Sequence, residues 1–206
     1  MPIFTCIVHL PAMLLWRRIS THISAGILLL SLLTACSLQP TSNNAAQASN
    51  TATLHPFTIS SPDFKDGGPL PQRTASTGKC TGSNVAPTLQ WTNAPAGTQS
   101  FALLMSDYDA PLAGGFRHWI VYNIPASAHQ LQGNQPYTEG TNGGGHTAYM
   151  GPCPPANGEP HHYLFLLYAL DVANIGQAGL HYDDVINAAQ GHVKGATSII
   201  GIFHLP

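Results

Sequence analysis

A mainly β domain preceded by an export leader is the fold class this sequence predicts, and three observations predict it. Charged residues make up only 8 % of the 206, while glycines number 20 and prolines 17, a profile of short strands joined by turns rather than of a helical bundle. Apolar runs rich in β-branched and aromatic residues, such as Phe101 to Met105 and Leu164 to Leu170, are bounded by clusters of proline, glycine, asparagine and aspartate. The first quarter differs from the rest: an apolar run is followed by a charge-free polar stretch, which leaves about 150 residues, one domain by size, for the fold.

Residues 1–35 read as a secretory signal of the lipoprotein type. Arg17 and Arg18 precede an apolar run, Ile23 to Leu33, that ends in Leu33-Thr34-Ala35-Cys36. An uncleaved membrane helix is the competing reading, but the run is shorter than the ~20 apolar residues a span needs. Leu-Thr-Ala-Cys resembles the bacterial lipobox, which predicts acylation (palmitate) at Cys36 and a place in the bacterial cell envelope, anchored in the outer membrane if there is one, or else in the periplasm. Met13, just upstream of the basic pair, is an alternative start. Residues 36–53 read as a tether, since Ser, Thr, Asn, Gln and Ala without charge cannot bury enough surface to order themselves. A flexible coil of some 18 residues reaches roughly 25 Å.

Residues 54–206 form the predicted domain. Leu54 to Ser60 is the first strand, at an edge because Pro56 lacks a ladder donor. Ser61 to Pro71 is turn chemistry, Leu89-Gln90-Trp91 alternates as a half-buried strand does, and Asn93 to Gly97 turns the chain into Phe101 to Met105. A Pro/Gly turn, Ala110 to Gly115, then reverses it into a strand carrying His118 and Trp119. The glycine-rich segment from His129 to Met150 is a long loop of the functional or mobile kind, leading to the proline-stiffened Gly151-Pro152-Cys153-Pro154-Pro155. Leu164 to Leu170 is predicted to be a central strand buried on both faces, Tyr182 to Gly191 a short helix, and Ala196 to Phe203 the last strand.

The central hairpin concentrates the chemistry. Asp107 and Asp109, two apart on extended backbone, share a face, and the return strand brings an imidazole past them. The bland alternative is a turn made by two aspartates and a satisfied core histidine. A carboxylate beside an imidazole favours the imidazolium and orients it, so such a pair can serve an anion although it contains an acid.

Ordered along the chain, Phe64-Lys65-Asp66-Gly67, Asn84-Val85-Ala86-Pro87, Asn93 to Gly97, Asp107-x-Asp109-Ala110-Pro111, His118-Trp119, Gly151 to Pro155 and His161-x-Tyr163 resemble the phosphatidylethanolamine-binding protein family in its bacterial, Raf-kinase-inhibitor-like branch. The resemblance implies a large central antiparallel sheet packed with a smaller sheet, peripheral helices, and a small pocket for phosphate, phosphorylated ligands or phospholipid headgroups. It assigns ligand binding to Asp107, His118, Gly151, Pro152, His161 and Tyr163, with Asp109 and Trp119 as a supporting layer and a backbone N–H of Gly151 as a donor. It also allows a kinase or a protease as protein partner. Many relatives carry arginine where His162 stands, and strand alternation turns His162 away from the pocket.

Composition narrows the remaining classes. Without the leader, five Lys/Arg face nine Asp/Glu, a net charge near −4, and no basic stripe offers itself to nucleic acid. No phosphate-cradling loop, Cys-x-x-Cys or nucleophile elbow is present, so a binding protein without cofactor or metal is expected rather than an enzyme. The alternative is a hydrolase or zinc enzyme built on Asp107, Asp109, His118 and His161. With Cys6 in the leader and Cys36 acylated, Cys80 and Cys153 remain in an exported domain, which predicts a disulfide; two buried free thiols are the competing reading.

Overall fold

The computed structural model describes residues 55–131, 136–156 and 158–205, so the leader, Cys36 and the tether lie outside the described residues. The strands are β1 (Thr58–Ser60), β2 (Gly68–Pro69), β3 (Leu89–Thr92), β4 (Ser100–Asp107), β5 (Phe116–Pro125), β6 (Gln130–Leu131), β7 (Thr138–Glu139), β8 (His161–Leu170) and β9 (Val193–Phe203). The helix α1 (Tyr182–Ala189) lies between β8 and β9 in sequence, and two 3-10 turns cover Gln72–Thr74 and Gly78–Cys80.

Two sheets result. The larger has the order β2-β9-β8-β4-β5-β7, antiparallel except where the two-residue β2 runs parallel to β9; the smaller has the order β1-β3-β6. Pro56 precedes β1, which is an edge strand, as its missing donor requires. The sheets bury Ile59, Leu89, Trp91 and Leu131 of the small one against Phe101, Leu103, Met105, Phe165 and Leu167 of the large one. The Trp91 and Phe101 rings lie 5.1 Å apart at 59°. On the far face Ala102, Leu104, Ile120 and Tyr122 pack under Val185 and Ala189 of α1.

The strand buried on both faces is therefore β4, not Leu164 to Leu170. All eight residues of β4 are buried, whereas Leu164, Leu166 and Tyr168 on the helix side of β8 are only half-buried. The reason is reach: an eight-residue helix is about 12 Å long, enough to roof β4 and β5 but not the whole sheet. The glycine-rich stretch is not a plain loop either, since β7 and a turn organised by buried Asn142 lie within it. Asn142 Oδ1 accepts from the N–H of Gly144 and of His146, at 2.9 and 3.1 Å, and its amide donates to the Ala148 carbonyl at 2.8 Å.

Candidate functional site

Strand register assembles the site. Asp107, the last residue of β4, pairs with Tyr163 on one side and Phe116 on the other, so these side chains share a face, and His161 joins them two residues before Tyr163. Simple alternation would send His118 and Trp119 to opposite faces. A β-bulge prevents it: Met105 pairs with Trp119 and Ser106 with Arg117, which leaves His118 as the extra residue, so that His118, two after Phe116, and Trp119, opposite Met105, both lie on the Asp107 face. The His118 ring then stands edge-on to Phe116 at 4.8 Å and to Tyr163 at 5.1 Å.

Asp107 is 3 % exposed and fully engaged. Its Oδ1 accepts from the backbone N–H of Asp109 and Ala110, at 2.9 and 3.1 Å, which shapes the turn. Its Oδ2 accepts from His161 Nδ1 at 2.7 Å and lies 3.9 Å from His118 Nε2. Burial pushes the carboxyl up, but the neighbouring His118 imidazole and the hydrogen bond from His161 outweigh it and hold Asp107 below the usual carboxylate range. His118 Nδ1 donates to the Met150 carbonyl at 2.7 Å, and the Met150 N–H returns a bond to the His118 carbonyl at 3.0 Å. Each imidazole is thus pinned through Nδ1, with Nε2 as its remaining polar atom. Tyr163, wholly buried, has its phenol pushed up chiefly by desolvation and next by the Asp107 charge, so it stays a protonated donor. Its hydroxyl has no hydrogen-bond partner.

These groups line a cavity of about 380 Å³, closed by Pro111, Phe116, Met150, Pro154 and Pro155. Asp107, His118, Gly151, His161 and Tyr163 are brought together in it. Pro152 is not in the lining; its carbonyl accepts from the Ser76 N–H at 3.0 Å and so holds the loop in place. Gly151 lines the cavity but offers no free N–H, because Asn84 Oδ1 takes it at 2.8 Å. Glycine is required there by close approach, since a Cβ would overlap the Thr74 carbonyl. Asp109 lies outside the cavity and accepts from the N–H and Nδ1 of His162, at 2.7 and 2.9 Å. Trp119 is also outside it: its ring meets Tyr149 edge-on at 5.4 Å and its N–H reaches Glu139 at 3.3 Å. Asp109 touches the cavity from behind, through its backbone N–H on Asp107 Oδ1. His162 is exposed between buried His161 and Tyr163, as alternation requires.

Lys79 in the lining was not predicted. Its one signal in the sequence is its neighbour Cys80, which is bonded to Cys153 with the Cα atoms 5.5 Å apart and ties the Lys79 turn to the proline loop. That loop and the Asn84 segment meet as the bridge needs, through Asn84 to Gly151 and Ser76 to Gly151. Among the described residues no cluster of three or more His, Cys, Asp or Glu is arranged to hold a metal ion, and no helix is long and apolar enough to cross a membrane.

Fold and site define a two-sheet β binding protein in which the central strands end in an aspartate–histidine cavity. The chain belongs to the phosphatidylethanolamine-binding protein family, whose sequence profile matches residues 60–204. It is 36 % identical over 148 residues to the UPF0098 protein of Methanothermobacter thermautotrophicus, covering 68 % of this chain and 93 % of that one. It is 40 % identical over 151 residues to LppC of Mycobacterium tuberculosis, provisionally named a lipoprotein, covering 72 % of each chain. The crystal structure of Escherichia coli YbcL superposes with a TM-score of 0.69 at 30 % identity, over 73 % of this chain and 99 % of that one.

Proposed function

We propose that this domain is an envelope-tethered receptor for an oxyanion, namely phosphate, a phosphorylated small molecule or a phospholipid headgroup, and that it binds without turning the ligand over. The observation that carries the reading is the unpartnered buried hydroxyl of Tyr163 beside two imidazoles pinned through Nδ1. A protonated imidazole donates through Nε2, Tyr163 donates its phenolic hydrogen, and Lys79 adds a charge at the same cavity. The neutral tautomers instead turn lone pairs toward the ligand, so binding takes up protons. The apolar remainder of the lining, prolines and Phe116, suits a headgroup with carbon attached. Asp107 acts as orienter, because all its near neighbours are protein donors. That occupation removes Asp107 as a free base, which disfavours a hydrolase built on this carboxylate.

Titration calorimetry of the full chain with phosphate and phosphoethanolamine at pH 5.5 and 8 tests this. Affinity is expected to fall at the higher pH, and His118→Ala to weaken it by roughly one to two orders of magnitude, the loss of one charge-assisted hydrogen bond. Affinity that rises at pH 8, or turnover of a phosphomonoester, would overturn the reading. Tethering is supported by the lipobox-like Leu33-Thr34-Ala35-Cys36 and by the lipoprotein naming of LppC. Mass spectrometry should find an acylated Cys36 at the mature N-terminus, lost in Cys36→Ser. A kinase or protease as partner remains part of the proposal only through the family resemblance, and pull-down with the Asp109–His162 rim intact and mutated is its test.

A further inference from the structure

Arg117 precedes His118 in β5, and strand alternation sends the two side chains to opposite faces of the sheet, with Arg117 paired to Ser106 on the helix side. Its guanidinium carbon lies 3.9 Å from the centroid of the Tyr182 ring and 5.1 Å from that of Tyr108. Nη1 is buried and has no hydrogen-bond partner, and among the described residues no carboxylate comes within 4.0 Å of the group. Aromatic faces offset part of a buried charge. They leave the in-plane N–H donors of a guanidinium unmet, and a partly buried cation without an anion is a costly arrangement to keep.

A hollow of about 270 Å³ opens beside this group, walled by the glycine turns at 114–115 and 143, by Thr141 and Asn142, and by the start of α1 at His181 to Asp183. Gly114, at φ 82°, turns its bare α-carbon toward Nη2: a Cβ built there would stand 4.0 Å from that nitrogen. The open edge of the guanidinium therefore faces the hollow, and the first turn of α1 adds its partial positive charge on the same side. The geometry points to a second ligand site, independent of the Asp107 cavity, in which Arg117 takes the carboxylate of a small molecule. A planar fork matches a carboxylate or a phosphate. Asp183 decides between them: with this acid beside Arg117 the lining has no net positive charge to offset the larger hydration cost of a dianion, which favours the monoanion.

The test is an NMR titration of the ¹⁵N-labelled full chain with acetate and, separately, inorganic phosphate at constant ionic strength. Acetate should move the amides of Gly114, Gly143 and Asp183 along one saturable curve. Arg117→Gln should abolish that curve and Arg117→Lys weaken it roughly tenfold, since the lysine keeps the charge and loses the fork. The phosphate-induced shift at His161 should survive in both variants, which separates loss of the site from loss of the fold. Shifts at Gly114 and Gly143 no larger than those from chloride, or unchanged acetate affinity in Arg117→Lys and Arg117→Gln, would overturn the assignment. Tighter binding of phosphate than of acetate at these amides would overturn the preference for a carboxylate.

Discussion

Two aspartate–histidine pairs, their aspartates two residues apart and their histidines adjacent, differ in almost nothing but surroundings. Asp107 accepts from His161 at 2.7 Å and Asp109 from His162 at 2.9 Å. In the first pair the side chains are 5 % and 11 % exposed, in the second 44 % and 56 %. Water screens the second pair, and exposed ion pairs contribute about 0–1 kcal/mol. The first is held in a weakly polarisable cavity, where a lost partner leaves its mate unsatisfied. Equal geometry thus yields a site in one case and a surface contact in the other.

Removing the two carboxylates should widen that contrast most. Asp107→Ala strands the His161 Nδ1–H and the N–H groups of Asp109 and Ala110, which at about 1–3 kcal/mol for a fully buried donor and less for a rehydrated one suggests a loss of about 3 kcal/mol. Asp109→Ala should cost under about 1 kcal/mol. Urea denaturation of both variants measures this, and equal losses would erase the distinction.

The imidazoles come next. His161→Ala should weaken phosphate binding by roughly ten- to a hundredfold and His162→Ala by less than about threefold, because only the first reaches the cavity. Calorimetry at pH 5.5 decides it, and a larger effect at His162 would mean the cavity is not where the anion binds.

Tyr163→Phe sharpens the comparison from inside the buried region. Its hydroxyl has no partner to lose, so stability should change by less than about 0.5 kcal/mol, while phosphate affinity falls roughly tenfold. A destabilised variant with unaltered affinity would show that the hydroxyl serves the fold.

The smallest expected effect is in acid. Asp107 and Asp109 are both held below the usual carboxylate range, the first by the neighbouring His118 and the hydrogen bond from His161 against the pull of burial, the second chiefly by the His162 N–H. A depressed folded-state pKa means stability that is complete above the unfolded value and is lost as pH falls through the folded one. Both pairs should therefore give way below about pH 4. Raising the salt concentration should flatten the Asp109 share and leave the Asp107 share, as acid titrations of Asp107→Asn and Asp109→Asn in low and high salt would show.

Much of the architecture is written locally. Pro/Gly turns, alternating apolar runs and the acidic first turn of α1 place the longer strands and the helix within a few residues, because each signal acts over one element, while the two-residue strands β2, β6 and β7 carry no such signal. The motif order also named Asp107, His118, His161 and Tyr163, which strand alternation and pairing then carry to one face. Tertiary structure decided the rest. The bulge that lets His118 and Trp119, neighbours in sequence, lie on one face depends on how β5 fits β4, and an extra residue in a ladder has no local signature. Lys79 reaches the cavity through a bond between cysteines 73 residues apart. The Gly151 N–H is withdrawn from any ligand by Asn84, and β8 is half-covered because α1 is short. In each case the outcome is set by a partner distant in sequence, so it exists only once the two sheets have packed.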